Sequence, residues 1–255
     1  MNSMIRDLGY MLDLLIQVVL RLTHLPKRWR WFTGQLYVSG IQTLHVVLLV
    51  GLFIGMIVAL QTGIELQRLG QQDQIGFIVA LSIAREMGPF ITGVILAAAV
   101  GSALAAELGT MAVSDELAAL EVMSIDRISL LVLPRVVALA VMCPMLTVLC
   151  DAIGIIGGGF IADSQLHVSP SLYYDTVRDA LSVPGRWIPL PTEVYSGLLK
   201  SFVFGVIIAI ISCSCGLRTR GGALGVGQST RKAVILSIIS IIVSNYFMTW
   251  IIQQG

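Results

Sequence analysis

The chain of 255 residues is 56% apolar and only 12% charged, whereas an ordinary soluble domain carries roughly 25% charged residues. This composition excludes a disordered chain, a fibrous protein and a typical soluble enzyme. Its 16 Lys and Arg nearly balance 15 Asp and Glu, so the chain lacks the basic excess of a nucleic-acid-binding protein. Mean hydropathy is +0.88, and the apolar residues come in long blocks. We therefore expect an integral membrane protein.

The N-terminal segment predicts a helix that lies on the membrane surface. Apolar residues recur at helical spacing over residues 4–22, and Asp13 and Arg21 fall on the opposite face. This pattern is typical of an interfacial amphipathic helix, with a sixth, short span as the alternative. A basic and aromatic run at residues 27–32 follows and is typical of an anchor at the membrane interface. We assign residues 1–32 to this helix and anchor.

Five apolar blocks are each long enough to cross a bilayer, which takes about 20 residues. The predicted spans are residues 38–64, 75–106, 133–162, 197–217 and 233–253. Lys and Arg concentrate on the N-terminal side of the membrane, and the opposite loops hold only Arg68, Arg178 and Arg186. Since positive loops favour the inner side, we expect a cytoplasmic N-terminus and a periplasmic C-terminus. The predicted fold class is an all-α integral membrane protein.

Small residues follow one another at intervals of four along the first two spans. They are Gly51, Gly55, Ala59 and Gly63 in the first span, and Gly93, Ala97, Gly101, Ala105 and Gly109 in and just beyond the second. Such stripes let another helix approach closely, so we expect a tight helix pair or a dimer interface. Three glycines at 157–159 predict a place where the third span bends or unwinds.

A loop of about 35 residues separates the third span from the fourth. It is too short for a domain of its own. Its length and its aromatic residues, which include Tyr173, Tyr174 and Trp187, favour a short helix that caps the outer face.

The adjacent charges Arg85 and Glu86 interrupt the second span, with apolar sequence on both sides. A charge at mid-membrane costs on the order of 3 kcal/mol, and neighbours on a helix point about 100° apart, so each must face protein, water or a polar ligand. Pro89 has no N–H for the Arg85 carbonyl, and Gly88 adds freedom, so we predict a kink here. Two interpretations stay open: a buried ion-pair network, or a polar lining of a substrate path.

Other polar residues within the spans predict no catalytic centre and no metal site. Asp151 is a lone acid in the third span, interpreted as a partner for a buried arginine, with a proton relay as the alternative. The four cysteines show no metal-ligand spacing and are expected to pack as small apolar side chains. They are Cys143, Cys150, Cys213 and Cys215.

An acidic segment between the second and third spans predicts a short helix that docks a partner protein. Ser114 is a candidate N-cap, and acidic residues follow in the first turn, where the helix dipole favours them. Leucines supply an apolar face. The candidate docking residues are Ser114, Asp115, Glu116, Leu117, Leu120, Glu121 and Met123. The alternative is a helix resting on the membrane, which its acidity suits poorly.

Five motifs in order resemble the MlaE-type permeases, the membrane subunits of ABC transporters that work with MCE-domain proteins to move lipids between bacterial membranes. The motifs are Phe53-Ile-Gly-Met56, Ala80-Leu-Ser-Ile-Ala-Arg-Glu-Met-Gly-Pro89, Gly101-Ser-Ala-Leu-Ala-Ala-Glu-Leu-Gly-Thr-Met111, Leu120-Glu-Val-Met-Ser-Ile-Asp126 and Gly222-Ala-Leu-Gly-Val-Gly227. We assign residues 33–255 to an MlaE-type permease domain. Arg127 stands where the family usually has proline.

The resemblance implies a permease subunit, not an enzyme, that moves phospholipids or related lipids as a homodimer in the bacterial inner membrane and serves outer-membrane lipid asymmetry. It implies that a cytoplasmic ATPase binds the acidic helix, which then acts as a coupling helix. It also implies a periplasmic hexameric MCE-domain protein and, in related transporters, a STAS-domain protein. The chain has no G-x-x-x-x-G-K-[ST] loop, so we expect it to bind no cofactor, ATP and Mg being used by the ATPase.

As a mechanistic hypothesis, closure of the ATPases tilts the first two spans and squeezes out a bound lipid. The expected lipid-binding residues are Val58, Gln61, Glu65, Leu66, Leu69, Arg85 and Glu86. The main alternative is an ion-coupled secondary transporter of a hydrophobic or amphipathic solute that uses Arg85, Glu86 and Asp151. An intramembrane lipid-modifying enzyme is less favoured, because the three histidines are scattered. A purely structural subunit is a further alternative.

Overall fold

A computed structural model describes residues 2–23, 29–182 and 192–254, and all regular structure in these residues is helical. The α-helices of this part of the chain are α1 Asn2–Leu20, α2 Trp29–Leu36, α3 Gln42–Arg68, α4 Ile75–Ser82, α5 Gly88–Leu96, α6 Ser102–Val113, α7 Glu116–Val122, α8 Leu133–Ser164, α9 Pro170–Ala180, α10 Thr192–Leu217 and α11 Gly222–Gln254. Four π-helical turns join or precede these helices: Tyr37–Ile41, Ile83–Met87, Ala97–Gly101 and Ile128–Val132.

Five helical stretches in the described residues are long and apolar enough to cross a membrane. They are Trp31–Arg68, Gln72–Val113, Ile128–Ser164, Thr192–Leu217 and Gly222–Ile252. Four of the predicted spans fall within one of these stretches, and the fifth, 233–253, extends one residue past Gly222–Ile252. The prediction of an all-α membrane protein with an N-terminal apolar helix and five spans is confirmed.

The helix α1 is apolar on more than one side. Leu14 and Val18 are buried in the protein, whereas Leu12, Ile16 and Leu20 are exposed apolar side chains. Polar side chains form one line along it: Gln17 donates a hydrogen bond to Asp13, and Arg21, directly after the helix, donates one to Gln17. An exposed apolar face beside a polar line is the arrangement expected of a helix in a membrane interface. The basic residues of the predicted anchor at 27 and 28 lie outside the described residues.

The chain divides into two compact units. The first contains Met1–Thr43, Gly93–Cys143 and Phe202–Thr249. Its apolar core joins α6, α10 and α11, where Ala105, Cys215 and Ala233 are buried together and Met11 of α1 packs against them. In this unit the glycines of the second stripe face α10: Gly101 lies beside Ser212, and Gly109 beside Thr219.

The second unit contains Leu44–Thr92, Pro144–Ser201 and Trp250–Gly255. Its core is larger and includes Ile75, Val79 and Ile83 together with the fully buried Tyr173. The helix α9, which lies in the long loop where the sequence predicts a short helix, packs against α4. The hydroxyl of Tyr173 donates a hydrogen bond to the Ile155 carbonyl at 3.0 Å, and burial raises the pKa of this phenol. Trp187 of the same loop lies outside the described residues.

The small-residue stripe of α3 packs against α8 in the second unit. Gly51 lies against Cys150, and at Gly55 an added methyl group would overlap the backbone of Gly154. The two stripes therefore serve close packing, as predicted, but each contacts a helix later in the chain. The glycines at 157–159 stay helical within α8. They do not unwind the helix, because they are buried in close contacts with α3 and α9.

Candidate functional site

Four charged side chains of the second unit form two ion pairs between the second span and α10. Lys200 Nζ lies 2.6 Å from Glu86 Oε1, and Arg85 Nε lies 3.6 Å from Glu193 Oε2. The Lys200 side chain is only 1% exposed, whereas the other three are 21–30% exposed. Two cations and two anions sum to zero charge, which is the condition for holding such groups in a low-dielectric environment.

Lys200 also satisfies the backbone at the turn before Pro89. Its ammonium group donates a hydrogen bond to the carbonyl oxygen of Arg85 at 3.1 Å. This carbonyl is the one to which Pro89 has no N–H to donate. The chain takes a π-helical turn over Ile83–Met87 at this point, and such turns are frequent at functional sites. The kink at Gly88 and Pro89 itself stays a prediction.

Two glycines let helices close around this turn within the second unit. A methyl group at Gly197 of α10 would overlap the carbonyl oxygen of Ala84, and one at Gly88 would overlap Asp151 Oδ1. That carboxylate oxygen is buried and has no hydrogen-bond partner among the described residues. Asp151 forms no ion pair within the described part of the chain, so the arginine partner expected for it is not found there.

The residues predicted on α3 to bind lipid do not share one environment. Leu66 is buried in the core of the second unit, and Val58 is half-buried against that core. Gln61, Glu65 and Leu69 are exposed, and Glu65 pairs with Arg68 at 2.9 Å. Arg85 and Glu86 contact α10 as described above. The predicted set therefore contains one core residue beside several residues that a ligand can reach.

The acidic segment forms the short helix α7, but its start differs from the prediction. Ser114 is the residue at which α6 ends, with its N–H bonded to the Thr110 carbonyl. Asp115 takes the left-handed conformation, with φ of 60°, and α7 begins at Glu116 without a side-chain cap. The prediction of a Ser114 cap is therefore wrong. The sharp turn after α6 directs the Ser114 hydroxyl to the Glu116 carboxylate instead, at 3.0 Å.

The apolar residues that α7 exposes are not all those predicted for docking. Leu117 is only 5% exposed and packs into its own chain, whereas Val122 is 86% and Met123 67% exposed. Leu120 is half-buried. Leu117 thus packs the helix against its own chain, and the C-terminal end of the helix exposes apolar side chains. Contiguous exposed apolar side chains that are rimmed by polar residues mark interaction sites.

Two ion pairs fix the end of α7 and the chain that follows it in the first unit. Arg127 pairs with Glu121 at 2.5 Å, and Arg21, directly after α1, pairs with Asp126 at 2.7 Å. Asp126 also accepts a bond from the N–H of Ile128. The segment that holds α7 is therefore tied to the C-terminal end of α1.

The N-terminal half of α1 is tied to α10 and α11 by a second set of charges. Asp7 accepts from Lys232 at 2.7 Å and from Arg218 at 2.5 Å. The guanidinium of Arg218 also lies 5.3 Å from the ring centre of Tyr10. The hydrogen bond from Lys232, reinforced by Arg218, holds the pKa of Asp7 below its usual value. The sequence analysis missed this contact because 211 or more residues separate the partners.

The five long apolar helices in the described residues define a multi-pass membrane protein. The comparisons identify the family. Residues 32–251 match the family described as Permease MlaE. The chain belongs to the MlaE permease family, and the resemblance inferred from its motifs is confirmed.

Several relatives share most of the chain. A probable ABC transporter permease protein of Synechocystis sp. is 41% identical, covering 87% of this chain and 81% of the relative. A protein of Arabidopsis thaliana named TRIGALACTOSYLDIACYLGLYCEROL 1, chloroplastic, is 38% identical, covering 94% of this chain and 66% of the relative. A probable ABC transporter permease protein of Rickettsia prowazekii is 39% identical, covering 84% and 80%. The chain is thus a membrane subunit of the ABC transporter permease type.

Proposed function

We propose that the chain is the permease subunit of an ATP-driven ABC transporter that moves phospholipids or related lipids between the inner and outer membranes. Its membership of the MlaE family supports this assignment. The Arabidopsis relative is named after a galactolipid, which favours a glycerolipid as the substrate class. We further propose that two copies form the permease and that an MCE-domain protein, with a STAS-domain protein in support, completes the transporter.

The proposed location is the bacterial inner membrane, with the N-terminus and α7 on the cytoplasmic side. The distribution of Lys and Arg supports this orientation, because few lie in the loops of the opposite side. An ATPase in the cytoplasm then meets α7 directly. The chain itself binds neither ATP nor Mg in this proposal.

The observation that carries the proposal is the surface of α7. Val122 and Met123 expose large apolar side chains at the end of a helix whose Leu117 is anchored in the chain. Glu116 at its start is exposed and acidic. A rigidly held, amphipathic end of this kind fits a groove in a partner protein. A force applied there reaches α1 through the Arg21–Asp126 pair.

The proposed lipid path lies in the second unit, along the exposed residues of α3 and near the charged pairs of Arg85 and Glu86. Gln61 and Glu65 offer polar contacts to a lipid headgroup, and Leu69 is 71% exposed. Because the four charges of the network are already paired with one another, we assign the network a mainly structural role at the edge of this path.

Co-purification tests the proposed ATPase contact. The tagged chain is isolated from its native membranes in mild detergent, and associated proteins are identified by mass spectrometry. We expect an ABC ATPase with the wild type and its loss with Val122→Asp combined with Met123→Asp. The matched control is Leu224→Asp, another exposed apolar residue at 76% exposure. Retention of the ATPase by the double variant would contradict the proposed role of α7.

Transport of labelled phospholipid out of vesicles that contain the complete complex tests the function itself. We expect transport to require hydrolysable ATP and to stop with a non-hydrolysable analogue. Transport that persists without ATP and follows an ion gradient would instead support the secondary-transporter alternative, which uses Arg85, Glu86 and Asp151.

A further inference from the structure

Two adjoining cavities lie beside the N-terminal half of α1, within the first unit. The smaller cavity, about 130 Å³ in volume, has a polar wall that includes Ser214, Arg218, Ser229 and Lys232. The larger, about 330 Å³, has a mainly apolar wall that includes Leu8, Met11, Ile211 and Leu236. Asp7, Met11 and Lys232 line both cavities, so the two meet at this wall. Together they form one amphipathic space.

The polar cavity carries net positive charge. Arg218 and Lys232 both bond to the single carboxylate of Asp7, which leaves one positive charge over. A guanidinium has five N–H donors and an ammonium three, more than one carboxylate accepts. The polar cavity therefore favours an anion that accepts several hydrogen bonds.

The apolar cavity identifies what kind of anion fits. Its volume lies in the range of about 300–1,000 Å³ that is typical of small-molecule pockets, and it opens beside Leu8, which is 54% exposed. In a membrane interface the molecules next to such an opening are lipids. A free inorganic anion would fill the polar cavity only, whereas a phospholipid fills both.

We propose that this space holds one anionic phospholipid, bound apart from the transported lipid. Its phosphate accepts hydrogen bonds from Lys232 and Arg218, with the hydroxyls of Ser214 and Ser229 within the same wall. One acyl chain enters the apolar cavity between Leu8 and Leu236. The lipid thereby holds α1 against α10 and α11. None of the residues that line this site is among those proposed to bind the transported lipid or the ATPase, so this proposal does not depend on the proposed function.

Native mass spectrometry of the purified full-length chain measures this binding. The protein is stripped of lipid in detergent and offered phosphatidylglycerol and phosphatidylcholine in equal amounts. We expect one phosphatidylglycerol per chain to be retained in preference to phosphatidylcholine. Lys232→Gln should weaken this retention about tenfold, the worth of one charged hydrogen bond. Arg231→Gln removes the same charge from the exposed neighbouring residue, which does not line either cavity, and should leave retention unchanged.

A second variant tests the apolar cavity without altering charge. Ser240 lines the apolar cavity only, so Ser240→Phe should fill it and reduce lipid retention, whereas Ile239→Phe on the exposed side of α11 should not. Equal loss in Lys232→Gln and Arg231→Gln would overturn the proposal in favour of general attraction to a basic surface. Displacement of the lipid by millimolar inorganic phosphate would also overturn it. So would unchanged lipid retention in both Lys232→Gln and Ser240→Phe.

Discussion

The ammonium group of Lys200 donates a hydrogen bond to the carbonyl oxygen of Arg85 at 3.1 Å, on the turn that precedes Pro89. One buried side chain therefore compensates two costs of this turn: the carbonyl that proline leaves without its helical donor and the carboxylate of Glu86. The contact joins α10 to the second span within the second unit. It explains how the side chain of a lysine in a largely apolar helix can be only 1% exposed.

Lys200→Met should lower the free energy of unfolding by about 3 kcal/mol or more, because it leaves a partly buried carboxylate and a carbonyl without their donor. The measurement is an SDS titration in mixed micelles. Lys232→Met is the matched control: its side chain is 55% exposed, and loss of such a pair costs at most about 1 kcal/mol.

Adding Glu86→Gln to Lys200→Met should restore part of the lost stability, because the carboxylate that has lost its bond to Lys200 is then replaced by a neutral amide. If the single variant unfolds no more easily than the wild type, or the double variant is worse by the sum of both changes, the two residues do not act as a buried pair.

Gly55→Ala should destabilise the second unit, because the added methyl group would overlap the backbone of Gly154 on α8. Gly34→Ala is the control, since nothing lies within 4 Å of the corresponding position. Alanine is favoured over glycine in a helix by about 1 kcal/mol, so the control should be neutral or stabilised. Thermal unfolding in detergent measures whether each variant is stabilised or destabilised. A stabilised Gly55→Ala would show that α3 and α8 are not in close contact.

Leu117→Ala should lower the free energy of unfolding by about 2 kcal/mol, the cost of a cavity in place of a buried leucine. Val122→Ala, on the same helix, should change it by less than about 0.5 kcal/mol because the side chain is almost fully exposed. The same SDS titration separates the two. Equal effects would mean that α7 is not anchored through Leu117.

Attachment of α1 should be stable at neutral pH and weaken only in acid. The pKa of Asp7 is lowered in the folded protein by its bonds to Lys232 and Arg218. The stabilisation is therefore present above the usual carboxyl value of 3.8 and is lost as the pH falls below it through the folded-state pKa. Proteolysis of α1 followed between pH 7 and pH 3 measures this. Asp7→Asn should be cleaved readily throughout, and a wild type equally protected at both ends of the range would contradict the assignment.

Arg21→Glu should disturb transport more than it disturbs folding, because the pair that it breaks is 29% and 40% exposed and contributes little to stability. The expected result is ATPase activity that no longer drives lipid movement. Combining it with Asp126→Arg restores the pair with reversed charges and should restore coupling. A double variant as uncoupled as the single one would show that the ion pair does not connect α7 to α1.

Properties set by local sequence could be predicted from the chain alone. The five apolar blocks, the helix α1 and the capping helix α9 follow from length, periodicity and loop composition. The loss of the helical hydrogen bond to the Arg85 carbonyl follows from the position of Pro89. In each case the deciding interaction lies within a few residues.

Partners that are distant in sequence could not be predicted. Glu86 and Lys200 are 114 residues apart, and the sequence around either residue does not indicate the other as its partner. The start of α7 was also missed, because Ser114 fits a helix cap by type but the left-handed turn at Asp115 places it at the end of α6. At residues 157–159, close packing outweighs the conformational freedom that glycine has in isolation.

The π-helical turns have a consequence for motion. Three of them lie within or at the start of the second and third spans, over Ile83–Met87, Ala97–Gly101 and Ile128–Val132. Each π turn holds one residue more than an α turn. When such a turn shifts along its helix, the residues it passes rotate by about 100° while the helix on either side keeps its hydrogen bonds. A shift of a π turn can therefore rotate single side chains about the helix axis without a tilt of the whole span.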